Sequence, residues 1–170
     1  LESLQVTTAG INAELELDAL LQLIADEAAH TFDAQAASLM MWNSAGTDLT
    51  IRASHGLSPE YVEGQSIPRG RVEAVRQEEQ YSILAIDDLL KQPFGELGLV
   101  EIEGLRSALA VPMLRAGVLE GALVIYSKGV RRKFTPEEIE LAGILAHQAS
   151  IALQNARLYA ETRRRLDELM

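Results

Sequence analysis

The side chains able to do chemistry are few and scattered. His30, His55 and His147 are the only imidazoles. His55 ends a strand-like run and precedes Gly56-Leu57-Ser58-Pro59, so it stands where an imidazole can donate to an anion or ligate a metal. The simpler alternative is a turn histidine bonded to nearby backbone. His147 falls on the apolar half of a long helix and reads as a satisfied core or interface residue. His30 lies at a helix end, where a cation is favourable, and reads as surface. Arg69 and Arg71 flank Gly70 and could meet an anion, but a solvated loop explains them as well. Ser38 is the polar exception in the apolar run Ala36 to Trp42; it either turns to a ligand or bonds its own backbone. Asp87-Asp88 reads as a helix cap. No carboxylate pair, Ser-His-Asp order or phosphate-cradling glycine loop stands out, so no catalytic apparatus or metal site is expected.

Composition narrows the classes further. The 170 residues are 48% hydrophobic, enough for a full core, and carry a net charge of −10. That charge argues against a nucleic-acid surface, which draws affinity from Lys and Arg on phosphates. There are no cysteines. Disulfides, thiolate metal sites, Cys nucleophiles and thioether-linked cofactors are therefore closed to these residues, and a cytoplasmic setting is expected. No apolar run approaches the roughly 20 residues of a membrane span, and no signal peptide opens the sequence. Beginning at Leu1 and ending inside a helical pattern at Met170, it reads as part of a longer polypeptide.

The elements that must position these residues are organised around the C-terminal helix, Thr135 to Met170. Thr135-Pro136-Glu137-Glu138 is a capping box with proline at the first helical position. From Leu141 to Leu153 the pattern is apolar on nearly every side, which predicts packing on two surfaces. Beyond, Ala142, Leu145, Ala149, Ala152, Ala156, Tyr159, Leu166 and Met170 keep steps of three and four. That seam predicts a rod shared with a second helix, with Arg157, Arg164 and Arg165 along its solvated flank. At the other end, Leu1–Asn12 is weakly helical. Leu17, Leu20, Leu21, Ile24, Ala28 and Phe32 form the stripe of a stronger helix, continuous with the first or broken near Gly10.

Between the helices, Ala36–Trp42 and Leu49–Ser54 read as a hairpin, with Leu49, Ile51 and Ala53 on one face. Ser38, Met40 and Trp42 share a face of the first strand; Leu39 and Met41 take the other. Glu60–Arg71 reads as irregular, Val72–Glu79 as a short helix, Tyr81–Ile86 as a strand, and Leu89–Gly104 as a long connection of the kind that covers a site. Ser107–Leu114 and Val118–Ser127 make a second hairpin. Pro112 there requires a bulge or an edge, and Gly121 a close approach or a bulge. The order predicts an α+β fold: an antiparallel sheet of five to six strands, terminal helices on one face, short helices and loops from His55 to Leu105 over a pocket on the other.

Six blocks carry a resemblance. They are Ala37-Ser38-Leu39-Met40, Ala53-Ser54-His55-Gly56-Leu57, Leu105-Arg106-Ser107-Ala108-Leu109-Ala110-Val111-Pro112-Met113, Gly121-Ala122-Leu123-Val124-Ile125, Phe134-Thr135-Pro136-Glu137-Glu138, and the stretch from Ala146 through Gln154-Asn155-Ala156-Arg157-Leu158-Tyr159. In that order they resemble a GAF domain. The resemblance implies a regulatory role beside a histidine kinase, cyclase, phosphodiesterase or transcription-activating domain, with dimerisation through the terminal helices. It divides the chain into an N-terminal signalling or linker helix (1–15), the GAF domain (16–157) and a C-terminal linker helix (158–170). It implies a small-molecule pocket, for which the candidate residues are Ser38, Met40, Trp42, His55, Val72, Ser107 and Leu109. The dimer seam would use Ala149, Ala152, Ala156, Tyr159 and Leu166.

Cofactors divide by residue. Covalent bilin attachment and methionine sulfoxide reduction in this family both need cysteine. Cyclic-nucleotide-binding members carry an Asn-Lys, Phe, Asp-Glu signature. Ser127-Lys128, Phe134, Glu138 and Ile139 stand there and match two of five, against cyclic nucleotide. Haem would have to use one of the three histidines and is not favoured. Small-ligand sensing is the expectation. The alternatives are a ligand-free dimerising spacer, its pocket filled by Met40, Trp42 and Met113, and a hydrolase working through His55.

Overall fold

The computed structural model describes residues 2–76, 80–93 and 95–169, with side chains from residue 15 onward. α1 (Glu2–Thr31) is one helix of 30 residues that passes through Gly10 without a break. Leu4 and Ile11, whose seven-residue spacing underlies the weakly helical reading of Leu1–Asn12, have side chains outside the described residues. Then follow β1 (Ala36–Trp42), β2 (Asp48–His55), α2 (Pro59–Gly64), β3 (Ser66–Pro68), α3 (Arg69–Ala74), β4 (Leu84–Ile86), α4 (Leu97–Glu103), β5 (Leu105–Arg115), β6 (Val118–Lys128) and α5 (Pro136–Leu169).

The stretch expected to be irregular holds α2 and β3. Ser58 starts α2 by accepting from the Tyr61 N–H, with Pro59 at the helix's opening, so the signal was local. α3 begins before Val72, and the expected helix end at 77–79 lies outside the described residues. The strand expected from Tyr81 shrinks to Leu84–Ile86. Asp88 caps a turn, through the Leu90 N–H, and not a helix.

The six strands lie in the order β3-β2-β1-β6-β5-β4, every pair antiparallel. At the centre, β1 and β6 approach so closely at Gly121 that a Cβ there would fall 2.2 Å from the Met40 carbonyl oxygen. Glycine is the residue that fits. Pro112 pairs with Ala122 on β6, while β4 ends opposite Ala110, so the proline falls where β5 is an open edge on its other side.

Both terminal helices cover one face. Leu39, Met41, Leu109, Val111, Met113, Leu123 and Ile125 meet Leu21, Ile24, Ala25, Ala28 and Phe32 of α1, and Ala142, Ala146, Ala149 and Leu153 of α5. Each large aliphatic side chain buried this way contributes about 2 kcal/mol. The alanines let α5 lie close to the sheet, and this rotates the helix away from its expected setting. Ala149 of the expected seam is spent on its own domain, Ala152 and Ala156 are half-buried, and Tyr159 and Leu166 are exposed. Met170 lies outside the described residues. Leu141, Ile144 and Ile151, expected inside, face out together with Leu158. His147 is exposed on α5, not in the core, and His30 is exposed as expected.

The capping box of α5 is reciprocal: the Glu138 N–H donates to Thr135 Oγ1 at 3.1 Å, and the Thr135 N–H to Glu138 Oε1 at 3.0 Å. Backbone donation from Thr135 leads in holding the Glu138 carboxyl below its usual range; burial opposes it and Arg132 assists.

A candidate ligand cavity on the open face of the sheet

The second face of the sheet carries a second core, and its strand parity explains the space in it. β5 sends Leu109, Val111 and Met113 toward the helices, and Ala108, Ala110 and Pro112 the other way. Small side chains on one side of a strand leave room there. Ala108, Ala110 and Ala122 floor a cavity of about 780 Å³, its mouth included. Met40, Val124 and Tyr126 complete the floor, Leu49 and Ile67 form one wall, and Tyr61, Val72 and Val100 of the three short helices form the roof. The apolar lining with a few polar groups suits a small organic molecule.

The roof is tied down by one buried carboxylate. Glu103, at the end of α4, accepts from the Ser58 N–H at 2.8 Å and from the Ser58 hydroxyl, and pairs with Lys128 Nζ of β6 at 3.1 Å. Burial alone would raise its pKa. The Ser58 donors and the Lys128 ammonium outweigh that and hold the carboxyl below its usual range.

The polar groups of the cavity are sparse. The Tyr126 hydroxyl lies 2.9 Å from Ser38 Oγ beneath the floor. The Tyr61 ring meets Tyr126 edge to face, centroids 6.4 Å apart. Burial pushes the Tyr126 phenol well above its ordinary value, with Tyr61 adding to it, and burial likewise raises Tyr61. Both stay protonated at neutral pH. Gln65 enters from the wall, buried, its Oε1 accepting from the Glu96 N–H at 3.0 Å. No charged residue lines the cavity among those described.

Of the expected ligand residues, Met40 and Val72 line this space. Ser38 faces the right way, but Tyr126 stands between it and the cavity. Trp42 donates from Nε1 to the Leu119 carbonyl at 2.8 Å and stacks under Arg69, 3.9 Å from guanidinium to ring. Arg69 also donates to the Gly46 carbonyl, so neither residue reaches the cavity. Leu109 lies in the helix-side core by strand parity. Ser107 serves as a strut, donating to the Asp87 carbonyl and accepting from the Arg132 N–H.

His55 is displaced by a bulge. Leu39 pairs with Ala53 and Met40 with Ile51, leaving Arg52 over. The extra residue reverses the parity of the strand beyond it. Leu49 and Ile51 face the cavity, whereas Ala53 joins the helix-side core. His55 lies beside α1, with Nδ1 3.0 Å from Asp26 Oδ1, and Asp18 holds Arg52 at 3.1 Å. Among the described residues no group of three or more His, Asp or Glu gathers in a way that could hold a metal ion.

Tyr61, Gln65 and Tyr126 were not read as site residues from the sequence. The alternation Ser107-Ala108-Leu109-Ala110-Val111-Pro112-Met113 was the available sign of the floor. Nothing local marks Gln65, whose partner is 31 residues away.

The floor also reaches the C-terminal helix. Leu119 lines the cavity, and the next residue, Glu120, is a buried carboxylate that binds Arg115 at 3.0 Å and Arg157 of α5 at 3.3 Å. Ser150 of α5 donates to the Leu114 carbonyl at 3.1 Å on the same hairpin.

Three comparisons bear on this arrangement. The chain is 24% identical over 170 residues to "Ethylene receptor 2" of Arabidopsis thaliana, covering 93% of this chain and 21% of that protein, about a fifth of its length. Its fold is similar to the blue-light absorbing form of the Thermosynechococcus elongatus PixJ GAF domain, with a TM-score of 0.73 at 20% identity, covering 92% of this chain and 95% of that one. It is also similar to the second GAF domain of DevS from Mycobacterium smegmatis, with a TM-score of 0.63 at 23% identity, covering 88% and 99%. The family model described as GAF domain matches residues 16–153. With its antiparallel six-stranded sheet clasped by terminal helices, this chain belongs to the GAF domain family.

Proposed function

We propose that the chain is the sensory module of a larger signalling protein, binding a small molecule in the cavity and passing its occupancy to an output domain through α5. The observation that carries the reading is the adjacency of Leu119 and Glu120: one walls the cavity, the other grips Arg157 on α5. A ligand that shifts Leu119 moves the anchor of the helix by way of one peptide unit. The receptor likeness supports placing the module within a longer signalling polypeptide, and the family resemblance implies an output domain of histidine kinase, cyclase or phosphodiesterase type. The absence of cysteine from these residues fits a cytoplasmic setting. No helix among the described residues is long and apolar enough to cross a membrane. The role is regulatory and not enzymatic.

The module works as a homodimer through its terminal helices. The outward stripe of α5 is Ile144, Ile151 and Leu158, seven residues apart, a spacing that a second copy of the same helix can meet. A spacer without ligand would need Met40, Trp42 and Met113 to fill the cavity. Met113 lies in the opposite core and Trp42 is held away at Leu119, so the open space supports sensing over spacing.

Native mass spectrometry of the chain purified from its own cells is expected to show a small-molecule adduct that denaturation releases. Filling the floor with Ala110→Phe should abolish the adduct while leaving the helical signal intact. An adduct-free spectrum of the unaltered chain would sink the sensing role.

A further inference from the structure

We infer that the cavity recognises a neutral, largely apolar molecule through a carbonyl oxygen, and that the Gln65 side-chain amide is the group that holds it. The inference rests on the reading of the cavity as a ligand site. Its basis is the state of one amide. Gln65 is 4% exposed. A backbone N–H can only donate, so the Gln65 atom facing the Glu96 N–H must be the oxygen. That leaves the NH2 group on the other branch; the Tyr61 hydroxyl stands beside it, but among the described residues Nε2 makes no hydrogen bond of ordinary geometry. The amide is also backed by Gly95, where a Cβ would stand 1.8 Å from Oε1. The side chain is thus fixed, with an unmet donor, in the wall of a largely apolar cavity whose other polar lining residues, Tyr61, Tyr81, Ser82 and Tyr126, bring only hydroxyls.

The chemistry of the missing partner follows. An anion would enter a lining without Lys or Arg, and a cation one without Asp or Glu. A ligand offering only donors would leave Nε2 unmet. An acceptor satisfies it, and the neighbouring Tyr61 phenol, kept protonated by burial, is a second donor for the same atom. A carbonyl oxygen has two lone pairs and can take both.

Three probes of one ring size separate these possibilities: acetylnaphthalene, ethylnaphthalene and naphthoate, titrated calorimetrically. The wild-type chain is expected to bind the ketone roughly three- to tenfold more tightly than the hydrocarbon, the range of one net hydrogen bond, and the carboxylate more weakly than either. Gln65→Met should keep hydrocarbon binding and lose the ketone preference. The carbonyl infrared band of the ketone bound to wild type should fall below its position in an alkane, a readout that does not depend on the variant folding. Equal affinities for ketone and hydrocarbon, a preference that survives Gln65→Met, tighter naphthoate binding, or a band at the alkane position overturns the inference. Binding of none of the three removes the ligand-site reading itself, and the inference with it.

Discussion

The Glu120 carboxylate lies 3.3 Å from the Arg157 guanidinium and 3.0 Å from that of Arg115, so one buried acid on β6 joins the tip of its own hairpin to α5. Both arginines remain substantially open to water, which screens the pair and limits its strength. A double-mutant cycle of Glu120→Gln and Arg157→Gln, read by urea denaturation, is expected to give a coupling of about 0.5–1 kcal/mol. Glu120→Gln should also speed amide exchange in residues 150–158 and leave β1 and β6 unchanged. Zero coupling together with unchanged exchange would remove the proposed route from cavity to helix.

The Glu103 strut predicts an acid limb. Its carboxyl is held below the usual value in the folded chain, so its contribution is complete above the ordinary value of 4.5 and is lost as pH falls through the lower folded value. Glu103→Gln should cost about 1–3 kcal/mol at neutral pH. The gap between wild type and variant should close on acidification. Stability curves measured across pH that stay parallel would show that the carboxylate charge is not what holds the roof.

Gly121→Ala tests the central seam of the sheet. The added Cβ would meet the Met40 carbonyl oxygen at 2.2 Å, and backbone on a central strand has little room to yield. A loss of about 3 kcal/mol is expected in chemical denaturation, at the upper end of overpacking costs. A loss under half that would mean that β1 and β6 can part at this point.

The proposed dimer is read by sedimentation. Ile151→Glu places a charge in the outward stripe of α5, at a residue 44% exposed in the single chain. The expected result is a dimer that becomes a monomer with unchanged circular dichroism. An unchanged dimer would place the interface elsewhere, while loss of helicity would show that Ile151 supports the single chain.

What could be read along the chain was what nearest neighbours settle. The capping box of α5 forms as spelled because its donors and acceptors are three residues apart. The two faces of β1 are right because strand parity needs no information from elsewhere. The stacking of helices on one side and short elements on the other followed from which segments carry large apolar stripes, and the block order from Ala37 to Tyr159 pointed to the family.

What escaped were choices between equally apolar options. α5 offers the sheet both a stripe through Ala142, Ala146, Ala149 and Leu153 and another through Ile144, Ile151 and Leu158. Close approach to the sheet favours the alanines, and this appears only when the sheet is present. Beyond Arg52, one unpaired residue reverses strand parity and carries His55 from the cavity rim to Asp26 of α1. A bulge is a property of two strands in register, so neither strand spells it alone. Gln65 meets Glu96 only after the roof closes. Its polarity is visible in the sequence, but which end of the amide goes unmet is fixed by a backbone N–H brought in from a distant loop.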